Sequence, residues 1–303
     1  MAHSHTHEPG VTVSRKLTLA TIATLAFVVV QLVAGYLANS LAIISDALHN
    51  FTDGLALVLA LAAVRLERRP ATDEKSYGYH RAGILAAFVN AAVLVAFTAF
   101  VFMEAWERFR RPSAVDATAM IWIASIGIAI NVAITWALRR EGKADVNIRS
   151  AVMHMFGDTL SSAGLIVAAI LIRTTGVQQW DAIVSVLIGL LILWSSWDIL
   201  RETVNLLLEG TPRGIDPDAV ARSLAAVEGV HGVHHLHIWA LGSSRPALSC
   251  HLMVGDVPVK STGSLLDRVN GLLEREYGIG HTTIQFEFAA CDANDPLCVP
   301  YSE

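Results

Sequence analysis

Charge is what this sequence has least of. Only 16% of its residues are Asp, Glu, Lys or Arg, against a hydrophobic share of 53% and a mean hydropathy of +0.50. An ordinary soluble domain is about 25% charged, so this composition points to a protein solvated largely by lipid. No contiguous Lys/Arg stripe occurs, and the formal net charge of −5 is small and mixed, which argues against nucleic acid as a partner. Cysteine is equally scarce. Cys250, Cys291 and Cys298 all fall late in the chain and are too few for a disulfide framework, so reduced thiols are expected. The zinc-protease pattern H-E-x-x-H is absent. No small-residue cleavage site follows Arg15 and Lys16, so the first apolar run reads as a retained span.

What the chain does have is long apolar runs. A bilayer core of roughly 30 Å takes about 20 apolar residues in helix, and six stretches qualify: Leu17–Ala38, Leu41–Val64, Ala82–Ala105, Ala117–Leu138, Ala151–Ile172 and Ala182–Leu200. Short connections at Asn39-Ser40 and Arg173–Asp181 favour antiparallel neighbours in one bundle. Lys and Arg concentrate in the loops that share a side with the N-terminus, which places both termini in the cytoplasm. The cluster Arg108-Phe109-Arg110-Arg111 goes against that trend.

After Glu209-Gly210 the composition becomes that of a small soluble domain. Pro217–Val227 has helical spacing with Asp216 as a candidate N-cap, and Ser261–Tyr277 is again helical. His234–Leu241, Ala247–Val254 and Thr282–Phe288 alternate as strands, the first two around a Gly242-Ser243-Ser244 turn. The fold class is therefore an α-helical membrane protein, a six-helix bundle followed by a small α+β domain in the order αββαβ. The expected division is a His-rich arm at 1–14, a transmembrane domain at 15–208, a cytoplasmic domain at 209–290 and a tail at 291–303.

Two spans carry the same unusual pattern. "HNFTD" in the second contains His49 and Asp53, and "HMFGD" in the fifth contains His154 and Asp158. Residues four apart share a helix face, so each pair forms a two-ligand edge. At 1.5 Å per residue both edges lie roughly 18 Å from a helix end, at matching depth. Ionisable groups inside a span face a bundle interior and mark function, whereas helix association alone is served by Ser, Thr or Gly contacts. Two imidazoles and two carboxylates suit a tetrahedral divalent ion, Zn²⁺ in particular, with Cd²⁺ and Co²⁺ also compatible. The carboxylates cancel the ion's charge. Because the ligands lose protons to bind metal and regain them on release, metal and proton movements are coupled in opposite directions. Asp46 lies on the same face as His49, either lining an exit path or, more simply, as a carboxylate near the helix start. Gln31, Asn90 and Asn131 read as interhelical hydrogen-bonding groups.

The six spans, "SDALHNFTD", "HMFGDTLSSAG" and "HHLHIWALGSSRPALSCHLMV" together resemble the cation diffusion facilitator family of metal transporters, over roughly residues 12 to 290. The resemblance implies that His49, Asp53, His154 and Asp158 form a zinc-type transport site. It also implies a homodimer that exports metal from the cytoplasm against protons, and a metallochaperone-like tail domain that binds further zinc. By match to the family pattern His234, His251 and Glu287 are the tail ligands, with His235, His237, His281 and Gln285 as alternatives. One conflict stands: alternation counted from His237 puts His234 on the apolar side, unless the strand begins only after His235. In the loop between spans two and three, only Asp73, Glu74 and His80 offer ligands, so no strong site is expected there. His3, His5 and His7 read either as a metal-gathering arm or as incidental, and Cys291 and Cys298 are similarly open.

An intramembrane metalloenzyme needs three ligands, an open position and a general base, which four ligands on two helices do not provide. A channel prefers weak serial sites, and a sensor needs no ligands at mid-membrane. The reading is a secondary transporter exchanging Zn²⁺ for protons by alternating access, in contact with lipid and placed in a bacterial inner membrane.

Overall fold

The computed structural model describes residues 11–139, 146–242 and 245–288, with side chains described except at 11–21, 137–139 and 146–154. His3, His5, His7, Ser243, Ser244, Cys291 and Cys298 lie outside the described residues. Six helices come first: α1 (Val11–Leu37), α2 (Leu41–Glu67), α3 (Ala82–Arg110), α4 (Ala117–Arg139), α5 (Val146–Thr175) and α6 (Gln179–Leu207). In hydrocarbon every backbone amide must be satisfied within its own segment, and a helix does this. Five of the helices are long and apolar enough to cross a bilayer, and the searched apolar part of α1, Ile22–Leu37, is shorter. The helices outrun the apolar stretches; α5, for example, starts at Val146, ahead of Ala151.

The described residues form two compact units, one reaching to Val58 and resuming at Asn90–Asp198, the other Leu59–Val89 with the chain from Ile199 on. In the first unit the helix interfaces are built from small residues. Ala42, Ala124, Ala168 and Ala169 are fully buried around Ile43, Met120 and Leu165. Close backbone approach substitutes for the hydrophobic drive that lipid does not supply. At Gly127 of α4 a Cβ would sit 3.2 Å from both the Phe27 ring and Ser162 Oγ, so this position draws α4 against α1 and α5. Trp122, Leu187 and Trp194 stand on the outside, an arrangement that lipid rather than water solvates.

The start of α2 is held by a residue far away in sequence. Asp181 of α6, 1% exposed, accepts hydrogen bonds from Ser40 Oγ (2.6 Å) and from the backbone N–H groups of Leu41 (2.7 Å) and Ala42 (3.3 Å). It is a cap supplied in trans to amides with no intrahelical partner. Asn39, at φ 52, makes the tight reversal from α1. Arg108 Nη1 lies 3.9 Å from Asp181 Oδ2 and donates to Asn39 O at 2.6 Å, while its Nε donates to Glu104 (2.9 Å). Arg108 thus departs from the loop-charge trend because it is committed to two carboxylates and a helix cap.

The second unit contains α7 (Pro217–Ala225), β1 (Val230–Gly242), β2 (Arg245–Val254), α8 (Thr262–Tyr277) and β3 (His281–Glu287). Asp216 Oδ1 accepts from Asp218 N at 3.1 Å with Pro217 opening α7, and Gly278 at φ 67 closes α8. The sheet order is β1-β2-β3, β1 antiparallel and β3 parallel to β2. Leu248, Cys250, Leu252 and Val254 of β2 face inward with Val269 and Leu273 of α8 and Val220 and Leu224 of α7. Burial pushes the Cys250 thiol up to about 12, so it is a core side chain with no thiolate to offer. In the same unit, residues 68–81 form a turn-rich segment in which Thr72 pairs with Lys75. There His80 Nε2 lies 3.1 Å from Arg245 Nη1, and Tyr77 packs edge-on to His281.

The strands correct one expectation. β1 does not begin after His235 but runs from Val230, and His234 sits on the polar side because the strand is bulged. His234 pairs with His251 and His237 with Ser249, so one extra residue intervenes and the alternation inverts.

Candidate metal sites

The first site lies in the bundle unit. On α2 the i, i+4 spacing brings His49 Nδ1 to 3.8 Å from Asp53 Oδ2. From α5, Asp158 presents Oδ1 at 3.8 Å from the other ring nitrogen, Nε2, of His49. One donor atom from each of His49, Asp53 and Asp158 lies within 4.8 Å of the others. Donors around a tetrahedral zinc are about 3.3 Å apart, given bonds of about 2.0–2.1 Å, so a small movement of these side chains gathers the three. Asp158 is 4% exposed and His49 16%, so the charge of an ion here is offset by the carboxylates rather than by water. His154 stands one helical turn before Asp158 in α5, and its side chain lies outside the described residues.

Asp46 is not a surface carboxylate at the helix start. It is 1% exposed, accepting from Gln31 Nε2 (2.8 Å, α1) and Ser161 Oγ (2.6 Å, α5), while Asn50 Nδ2 donates to Gln31 Oε1 (3.1 Å). Asp46 is three residues before His49 and Ser161 three after Asp158, so this network joins α1, α2 and α5 one turn beyond the site. Gln31 is thus an interhelical group, as its sequence context indicated. Asn90 Oδ1, in contrast, is buried with no hydrogen-bond partner among the described residues. The missed signal was a buried-network partner: "SDAL" and "DTLSS" show no pairing until the helices are side by side.

The second site lies on the sheet of the other unit. His234 Nε2 is 2.9 Å from Glu287 Oε2, and His251 Nδ1 is 3.0 Å from Glu287 Oε1. His251 and Gln285 are register partners and Glu287 lies two residues further along the same face. Donor atoms of His234, His251 and Glu287 all lie within 4.8 Å of one another. Of the alternatives, Gln285 donates to Glu287 Oε1 (2.6 Å), His281 packs edge-on against Tyr77 and His237 is exposed. The rings of His235 and His251 are 4.7 Å apart. These residues therefore have the donor chemistry of a divalent-metal site, and none of Asp73, Glu74 or His80 belongs to such a group among the described residues.

Electrostatics prepare this second set for metal. Burial, with the nearby His235 and His234, lowers the His251 pKa below its ordinary 6.5 against the opposing pull of Glu287. Burial raises Glu287, but hydrogen bonds from Gln285 and His234 and the histidine charges outweigh it and hold the carboxyl below 4.5. Near neutral pH His251 is therefore a free base and Glu287 an anion. Both pKa values are depressed, so the unfolded chain binds more protons than the folded domain as pH falls, and stability present above pH 6.5 is lost on acidification. The expected result in the Asp53→Ala plus Asp158→Ala protein is that zinc binding weakens as pH drops below 6.5, the ordinary His value, because His251 and Glu287 bind metal only without their protons. Calorimetric titration across pH checks it; an affinity unchanged between pH 7.5 and 5.5 would contradict it.

Comparison with known proteins gives the family. Residues 17–208 match the model of the cation efflux transmembrane domain, and residues 212–289 that of the cation efflux protein cytoplasmic domain. The zinc transporter ZitB of Shigella flexneri is 40% identical over 301 residues, covering 97% of this chain and 95% of that protein. The metal cation efflux system protein CzcD of Cupriavidus metallidurans is 38% identical over 293 residues, 97% of this chain and 92% of its own length. The cadmium, cobalt and zinc/H(+)-K(+) antiporter of Bacillus subtilis is 36% identical over 303 residues, 99% and 97% respectively. With both domain models matched in order and relatives aligned end to end, the chain belongs to the cation diffusion facilitator family, integral membrane transporters of cations and not enzymes.

Proposed function

We propose that this protein exports Zn²⁺, with Cd²⁺ and Co²⁺ as further substrates, from the cytoplasm in exchange for protons. The observation that carries the reading is that one donor atom from each of His49, Asp53 on the same helix and Asp158 on α5 lies within 4.8 Å of the others. His154, one turn before Asp158, is the fourth ligand. A metal draws these groups together, and protons take its place when it leaves, since buried carboxylates and imidazole bind one or the other. Because the ligands sit on two helices, displacing α5 relative to α2 breaks the set and releases the ion, which is what alternating access requires. The names of the relatives, zinc transporters and a cadmium, cobalt and zinc antiporter, support the same substrates and exchange.

The working unit is a homodimer in the bacterial inner membrane with both termini in the cytoplasm. Its regions are the arm at 1–14, the transmembrane domain at 15–208, the cytoplasmic domain at 209–290 and the tail at 291–303. In the cytoplasmic domain His234, His251 and Glu287 hold an additional zinc ion. The test is zinc uptake by proteoliposomes loaded with a pH dye. The expected result is zinc entry with proton flux in the opposite sense, both lost in His154→Ala plus Asp158→Ala. Zinc binding without transport by the unaltered protein would overturn the reading in favour of a sensor.

A further inference from the structure

We propose that His235 is a fourth ligand of the cytoplasmic-domain metal site, closing it as three imidazoles and one carboxylate supplied by a single chain. The inference rests on the reading of His234, His251 and Glu287 as metal-binding, and goes beyond it on two observations. The first is the arrangement of the rings. The centroids of His234, His235 and His251 are 5.5, 5.3 and 4.7 Å apart in pairs, the three sides of one triangle. An imidazole bound through nitrogen places its ring centre about 3.2 Å from the ion, and tetrahedral angles then separate ring centres by about 5 Å, given a Zn–N bond of about 2.0–2.1 Å. The three ring centres therefore have the spacing of ligands of one ion, with Glu287 in contact with two of them at 2.9 and 3.0 Å; donor atoms of His234, His251 and Glu287 already lie within 4.8 Å of one another, and His235 joins them by turning its ring.

The second observation is the backbone. In a regular strand, neighbours point to opposite faces, so His234 and His235 would be separated by the sheet. His235 instead has φ 50, left-handed for a non-glycine residue, at the bulge where β1 carries one residue more than β2. That conformation turns its ring back to the side of His234 and His251, as the ring contacts record. A glycine would adopt it without strain, and strained backbone held in place by its surroundings concentrates at binding sites. If the bulge served only to restore the register of β1, the side chain at 235 would be free of constraint and no imidazole would be needed there.

The test uses the full-length protein carrying Asp53→Ala and Asp158→Ala, so that the tail is the site observed, titrated with Co²⁺ and followed by its visible absorption. His251→Ala identifies the tail signal. His235→Asn removes the imidazole while retaining a residue that tolerates positive φ, and His235→Gly relieves the strain. The expected result is an intense tetrahedral band that weakens and shifts in both His235 variants, with affinity reduced at least about tenfold, the scale on which even outer-shell partners act. The thermal midpoint of the metal-free His235→Gly protein is expected to be unchanged or higher. Unaltered affinity and spectrum in His235→Asn would overturn the fourth ligand while leaving the three-residue site intact. No difference between His251→Ala and its parent would overturn the tail site itself.

Discussion

Asp158→Asn is expected to reduce zinc transport to the level of protein-free vesicles while the protein still elutes as the folded oligomer. The substitution conserves shape, so helix packing around this 4% exposed side chain is retained. What changes is charge. The site loses one of the two carboxylates that offset a divalent ion in largely buried surroundings, leaving net positive charge on binding. His49 Nε2 also loses the anion it faces at 3.8 Å. Loss of an outer partner alone costs a metal site about 10–100-fold in affinity, so loss of a direct ligand is expected to exceed about 100-fold. Asp53→Asn should behave alike, and zinc equilibrium binding together with uptake rate measures both. Normal transport by both variants would rule out the assignment of the transport site.

Asp181→Ala is expected to have the largest effect on assembly. It removes, in one change, the acceptor for Ser40 Oγ and for the N–H groups of Leu41 and Ala42, and leaves Arg108 without one of its two carboxylates. Each buried group left unsatisfied costs about 1–3 kcal/mol, and breaking a buried charge pair from one side costs about 3–5 kcal/mol. The expected outcome is a fall of several degrees or more in the thermal midpoint in detergent and poor membrane yield. Asp181→Asn, which keeps an acceptor oxygen, should lose less. The start of α2 sets the position of His49, two turns further on, so transport per folded molecule should also fall. An Asp181→Ala protein with unchanged midpoint and transport would show that the cap is dispensable.

The two kinds of site differ in how much of them the chain reveals. The pairs His49 with Asp53, and His154 with Asp158, are legible because residues four apart on one helix share a face whatever the rest of the protein does. The tail site was legible only by resemblance. Its three members come from β1, β2 and β3, and strict alternation misplaced His234 until the bulge between His234 and His237 inverted the pattern. No local signal announces that bulge, since it is set by pairing with β2. The same holds for Asp46, whose partners Gln31 and Ser161 are 15 and 115 residues away.

By itself the sequence determined the spans, their number, the small αββαβ domain and the placing of a His and an Asp four residues apart on each of two spans. Each of these follows from periodicity or composition within one segment, where the relevant interactions are local or are with solvent and lipid. Tertiary structure alone decided that Asp181 caps α2 across 140 residues, that Asp46 is buried in a network rather than exposed, and that His235 turns toward His251. Those outcomes depend on which polar groups lose water together when helices and strands meet, and a buried polar group finds its partner in space and not along the chain.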